Sequence, residues 1–187
     1  MKSLEAYYYD LLRLLRRTVP LWWNLRIRYR VTLGTGLTTV PQLRLAVETL
    51  GWRIHYWSRR LMSRPGFVVS QVQQSLDLVV VTPENLGYIW PVTDIPNFYR
   101  KAKSFGLELC PDEIPLQLPL QCRIGRRKSL VIATELVYDK DGQAEVFVVR
   151  GRNADGEREI DVHKAFPPSY DTYFFEDQPF VFVLPRK

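Results

Sequence analysis

The sequence predicts an α+β protein in which amphipathic helices accompany a mainly antiparallel sheet. Three observations carry this. Leu76–Cys122 reads as strand, capped turn, helix, turn and strand, with a start or stop signal at each joint. Leu130–Leu184 holds short apolar runs, the first three separated by Asp-Gly turns, the pattern of an antiparallel meander. Asn24–Leu33 alternates polar and apolar residues at period two, while Val40–Leu61 repeats apolar residues at helical spacing.

In chain order, Leu4, Tyr7, Tyr8, Leu11, Leu12 and Leu15 predict a helix over Ser3–Thr18, with Ser3 as cap and Pro20 as breaker. It packs on the fold or lies on an anionic surface. Trp22-Trp23 follows, as core or as a stacking platform. In Asn24–Leu33, Arg26, Arg28 and Arg30 share one face of a strand and Leu25, Ile27, Tyr29, Val31 and Leu33 the other. A rise of about 3.3 Å per residue sets these guanidiniums about 7 Å apart, near the spacing of successive phosphates along a single nucleic-acid strand.

Thr39 and Gln42 have capping-box spacing. Val40, Leu43, Val47, Leu50, Ile54, Trp57 and Leu61 then predict one helix running to about Met62, with Gly51 inside it at a cost of about 1 kcal/mol. The other side of that helix interleaves Arg44, Arg53, Arg59 and Arg60 with Trp52, His55 and Tyr56. Cations among aromatic faces are what single-strand binders use. A solvated helix face reads the same way. Phe67–Ser75 is an exposed strand or a linker.

Leu76–Val81 is a mostly buried strand. Thr82-Pro83-Glu84 starts one helical turn, which Gly87 ends. Thr93-Asp94 caps a helix whose face is Ile95, Phe98, Ala102 and Phe105, and Gly106 terminates it. Leu116, Leu118, Leu120 and Cys122 alternate with Gln117, Pro119 and Gln121, which predicts a strand, at an edge or bulged because of Pro119. Arg123–Lys128 is a small basic loop. Leu130–Tyr138 and Ala144–Arg150 flank the Asp139–Gly142 hairpin turn. Glu157–His163 and Phe180–Leu184 complete the expected meander.

Net charge is +6, unevenly spread. Residues 1–75 hold 12 Lys and Arg against 3 Asp and Glu, a net of +9; residues 76–187 hold 14 against 17, a net of −3. The expected division is a basic region, 1–75, and an α+β domain, 76–187, packing separately or as one unit. Eleven of the twelve early cations are arginine, which grips phosphate or carboxylate in a bidentate fork.

TPENLG, FYRKAKSFGLELCPDEIPLQLPLQ, VYDKDGQAEVFVVR and the closing FVFVL resemble an uncharacterised bacterial family. Its members carry a TPxELG…GLELCPAEVGP…DxDGxxxVFxV series. The likeness covers about residues 81–184, and GLELCP at Gly106–Pro111 is its most specific part. Ile114–Leu118 departs from the pattern. The resemblance implies a domain boundary and no activity.

No phosphate-binding loop, dinucleotide fingerprint or nucleophile elbow is present. His55 and His163 have no ligand partner at helical spacing, and no cofactor, metal site or catalytic set is implied. Asp139-Lys140-Asp141-Gly142 opens like a calcium loop, but Arg150 stands at the twelfth position. Cys110 and Cys122 read as reduced packing thiols of a cytoplasmic protein. Neither a signal peptide nor a membrane-spanning run is expected.

The expectation is a non-enzymatic binding protein. Arg26, Arg28, Arg30, Arg53, Arg59, Arg60, Trp52 and Tyr56 would contact RNA or DNA, or an acidic protein partner. The alternatives are an assembly component and a small toxin-like hydrolase using His163, Cys110, Cys122 or the acids Glu108, Asp112, Glu113 and Glu135.

Overall fold

The structure, a computed structural model, describes residues 25–88, 92, 94–126, 128–152, 156–165 and 178–186. The expected helix over 3–18 and the Trp22-Trp23 pair lie outside them. Seven strands form one mixed sheet: β1 (Ile27–Leu33), β2 (Trp52–Ile54), β3 (Gln74–Val81), β4 (Ser129–Tyr138), β5 (Ala144–Arg150), β6 (Arg158–Ala165) and β7 (Phe180–Leu184). Their spatial order is β1-β3-β7-β4-β5-β6-β2. Among the described residues four α-helices, α1 (Val40–Thr49), α2 (Tyr56–Met62), α3 (Ile95–Ser104) and α4 (Ile114–Gln121), complete the α+β architecture.

The β4-β5-β6 meander forms as expected, in antiparallel register. β7 does not extend it. It enters the middle of the sheet, antiparallel to β3 and parallel to β4. A strand covered on both faces reads as a continuous apolar run, and Phe-Val-Phe-Val is such a run. Val181 and Val183 face the core shared with α1, α2 and α4; Phe180 and Phe182 face α3 on the other side. The Phe98 ring of α3 lies 4.5 Å from that of Phe180 and 6.0 Å from that of Phe182. Burying such rings contributes about 1.5–3 kcal/mol apiece.

Strands from both sides of residue 76 share this sheet, since β1 and β2 belong to the basic first part. β1 pairs with β3 and forms one edge. β2 pairs in parallel with β6 and forms the other.

Two segments differ from their expected form. The single helix over 39–62 is instead α1, β2 and α2. Its capping box is present, with the Gln42 backbone N donating to Thr39 Oγ1 and the Thr39 N donating to Gln42 Oε1. Gly51, at φ +79°, then turns the chain out of the helix. Glycine alone adopts that conformation without strain. Trp52, Arg53 and Ile54 run extended, with Trp52 and Ile54 buried and Arg53 exposed, and they satisfy backbone groups of β6 that would otherwise form an open edge.

The predicted strand at Leu116–Cys122 is helix α4. Every residue from Ile114 to Pro119 is buried, so period two in the sequence marked no exposed face. Pro115 suits a first helical turn. Glu113, Gln117 and Gln121 then stack at intervals of four. Gln117 Nε2 donates to Glu113 Oε2 at 2.8 Å, and Gln121 Nε2 donates to Gln117 Oε1 at 2.9 Å. That ladder needs helical geometry.

Candidate functional site

The sheet order separates the predicted site residues. β1 and β2 are its two edges, six inter-strand steps apart, or about 29 Å at about 4.8 Å per step. Arg26, Arg28 and Arg30 belong to one edge; Arg53, Arg59, Arg60, Trp52 and Tyr56 belong to the other. They do not form one surface.

At the β2 edge the cations are matched internally. Arg53 pairs with Glu157, Arg59 with Glu48, and Arg60 with the buried Glu145. Arg64 pairs with Asp112. Trp52 is 4% exposed, so its ring belongs to the core and not to a stacking platform. Tyr56 is 71% exposed and meets Trp57 edge-on at 5.3 Å.

The β1 edge is different. Tyr29 pairs with Leu78 and Ile27 with Val79, so Arg28 is an extra residue in a bulge. Bulges re-aim side chains. Beyond it the expected alternation fails, and Ile27 is 47% exposed. Arg28 and Arg30, with Cys122, Arg123, Gly125 and Lys128 of the loop after α4, line a cleft of about 440 Å³. Among the described residues, none of those lining it is a carboxylate. Exposed Arg26 and Arg126 stand on the same two segments.

Arg30 does have an anionic neighbour. Its Nε donates to Asp77 Oδ1 at 2.7 Å, and Arg186 Nε donates to Asp77 Oδ2 at 3.1 Å. The Arg186 and Arg30 guanidiniums hold the Asp77 carboxyl below the usual carboxylate range. Two cations sharing one anion leave a net +1 at this corner. Cys122 Sγ donates to Arg30 O at 3.6 Å, and burial pushes its thiol up, away from the reactive thiolate.

A second cluster lies near the β2 edge. Glu159, Asp161 and His163 alternate along β6, opposite in facing to buried Ile160. Arg150 of β5 is in register with Glu159. His55 joins them from between β2 and α2, its backbone N donating to Ile160 O at 3.0 Å. His55 Nε2 lies 2.9 Å from Glu159 Oε2, and His55 Nδ1 lies 3.9 Å from Asp161 Oδ1. Arg150 Nη1 donates to Glu159 Oε1 at 2.6 Å and to Asp161 Oδ2 at 3.1 Å, and Arg150 Nη2 contacts His163 Nε2. Burial pushes the Glu159 carboxyl up, but hydrogen bonds from His55 and Arg150 outweigh it and hold it low. Burial and the Arg150 charge push the His163 imidazole below its ordinary value, against the pull of Asp161 and Glu159.

Both histidines of the chain therefore meet in one network. His55 and Glu159 are 104 residues apart in sequence, and the only local signal is the Glu-x-Asp-x-His alternation of β6.

The groups expected of a hydrolase do not converge. Cys110 is buried, its Sγ donates to Val181 O, and burial pushes its thiol well up. Glu113 accepts from Ser70 N and Gln117 Nε2. Glu108 is exposed, and Glu135 lines a separate cleft of about 310 Å³ beside Arg100 and Lys103. In the calcium-like turn, Asp139 is occupied by the Asp141 and Gln143 amides and by Lys164. Among the described residues no helix is long and apolar enough to cross a membrane. Comparison with protein-family models, curated proteins and solved structures finds no match.

Proposed function

We propose that the protein binds nucleic acid without chemistry, holding backbone phosphates in the cleft between β1 and the loop after α4. One observation supports this above the others: Arg28, Arg30, Arg123 and Lys128 converge on a cleft that no carboxylate among the described residues lines. Guanidinium forks fit phosphate oxygens bidentately, and phosphate contacts supply most sequence-independent affinity. The binding surface in this reading is Arg26, Arg28 and Arg30 joined by the Arg123–Lys128 loop. The Arg53, Arg59 and Arg60 group plays no direct part, because each of those cations has a carboxylate of its own, whereas Arg30 shares Asp77 with Arg186. A cytoplasmic location suits the reading, since Cys110 and Cys122 are free thiols.

The test is binding of labelled single-stranded and duplex oligonucleotides across a salt series. Affinity is expected to fall steeply with salt. Arg28→Gln and Arg123→Gln should each lower the log–log slope by about 0.7–0.9, the loss of one phosphate contact. Arg53→Gln should leave it unchanged. Absence of binding at low salt, or binding indifferent to salt, removes the proposal.

A further inference from the structure

We propose that His55, Glu159 and Asp161 form a site for a divalent transition-metal ion of the zinc type, whose place Arg150 takes in the metal-free protein.

One ligand atom from each of the three residues lies within 4.8 Å of the others. Tetrahedral ligands about 2.0–2.2 Å from zinc stand roughly 3.3–3.5 Å apart. The closest approach, 2.9 Å from His55 Nε2 to Glu159 Oε2, is already shorter than that, while Asp161 lies 3.9 Å from the other ring nitrogen, Nδ1, so one imidazole nitrogen and the two carboxylates must adjust to share an ion. The mounting is firm. Glu159 and Asp161 sit on β6 inside the sheet, and the His55 backbone is tied to Ile160 O at 3.0 Å. His163, two residues along β6 from Asp161, supplies a second imidazole beside the set.

Charge points the same way. Two carboxylates, Glu159 and Asp161, both take their ion pair from the single Arg150 guanidinium. Partly buried charge favours a neutral balance. A divalent ion in place of Arg150 matches both carboxylates. The donor set selects among ions: carboxylates alone suit magnesium or calcium, whereas imidazole with carboxylates suits zinc, cobalt, iron or manganese.

The whole chain is titrated with Co²⁺, read by its visible absorption, and with Zn²⁺ by calorimetry. One equivalent is expected to bind and to raise Tm. His55→Ala and Glu159→Gln should each weaken binding at least tenfold. Arg150→Met, which removes the competing cation, should tighten it. Circular dichroism establishes that each variant folds, and if His55→Ala does not, the wild-type stoichiometry and Glu159→Gln decide. The proposal is overturned if neither ion binds the wild type or Arg150→Met, if His55→Ala or Glu159→Gln leaves the affinity intact, or if Arg150→Met weakens it.

Discussion

Gln121 and Thr32 pair as two strands would. The Thr32 backbone N donates to Gln121 Oε1 at 2.8 Å, and Gln121 Nε2 donates back to Thr32 O at 2.7 Å. A side-chain amide at the end of α4 thus closes part of the outer edge of β1, where unpaired backbone groups would invite another strand. It also fixes the loop after α4, with Arg123 and Lys128, against the strand that carries Arg28 and Arg30. Gln121→Ala removes both bonds, and the one to Gln117 Oε1, and should cost about 1–3 kcal/mol. Gln121→Glu should cost more, because a carboxylate cannot donate to Thr32 O and meets it as a second acceptor. Chemical denaturation gives the cost, and hydrogen exchange at the Thr32 amide localises it. An unchanged Thr32 exchange rate in Gln121→Ala would show that the edge is held by something else.

Among the described residues Asp77 is the only carboxylate paired with Arg30, and it serves Arg186 as well. Asp77→Asn releases both guanidiniums. If this edge holds phosphates, oligonucleotide affinity should rise severalfold at low salt and the salt slope should steepen. Stability should fall at neutral pH, since Asp77 is buried and its amide replacement offers two exposed guanidiniums only an uncharged acceptor. Binding that weakens in Asp77→Asn would mean that the pair positions Arg30 for its ligand and does not compete with it.

Much of this arrangement was open to a reader of the sequence. The Thr39–Gln42 capping box, the Asp139–Gly142 turn and the Ile95–Ala102 helix face are local patterns, decided by residues within a few positions of one another. The strand of β1 was legible for the same reason, but the bulge at Arg28 that breaks its expected alternation was not. What escaped was decided by distant partners. Trp52-Arg53-Ile54 became a strand because β6 offered a free edge about a hundred residues later. Leu116–Gln121 became a helix because it is buried on nearly all sides, so polar residues no longer mark the outside. Helix and strand patterns cannot be told apart once both faces are covered. The separation of the arginines depends on strand order, which composition does not encode. The meeting of His55 with Glu159 and Asp161 depends on it too.

His163 should give the fold a pH dependence of its own. Its folded-state pKa lies below the ordinary value, through burial and the nearby Arg150 charge. Below about pH 6.5 the unfolded chain takes up a proton that the folded chain resists. Stability should therefore begin to fall as pH drops through about 6.5, and this component should level off below the folded-state value. Asp77 and Asp139, both held low by their cationic partners, keep their contribution until pH falls into the carboxylate range. His163→Gln should flatten the upper part of the profile and leave the lower part. Identical wild-type and variant profiles between pH 7 and 5 would contradict this.

Gly151 offers a way to move the basic loop without touching a cation. The Gly151 N donates to Lys128 O at 2.8 Å, so the end of β5 carries that loop directly. A Cβ at position 151 would stand 2.1 Å from Gly125 O and 3.0 Å from Gly125 C. Backbone atoms cannot yield to such contact as a flexible side-chain tip would. Gly151→Ala must therefore shift the 123–128 loop away from β5, at about 1–3 kcal/mol, the usual cost of overpacking. Because Arg123 and Lys128 travel with the loop, oligonucleotide affinity should fall severalfold even though the charge is unchanged. Gly142→Ala is the control. It carries positive φ and so costs stability, but nothing lies within 4 Å of its added methyl and it is remote in sequence from the basic loop. It should leave binding alone. Equal affinities for Gly151→Ala and the wild type, both shown folded, would place the binding surface elsewhere on the molecule.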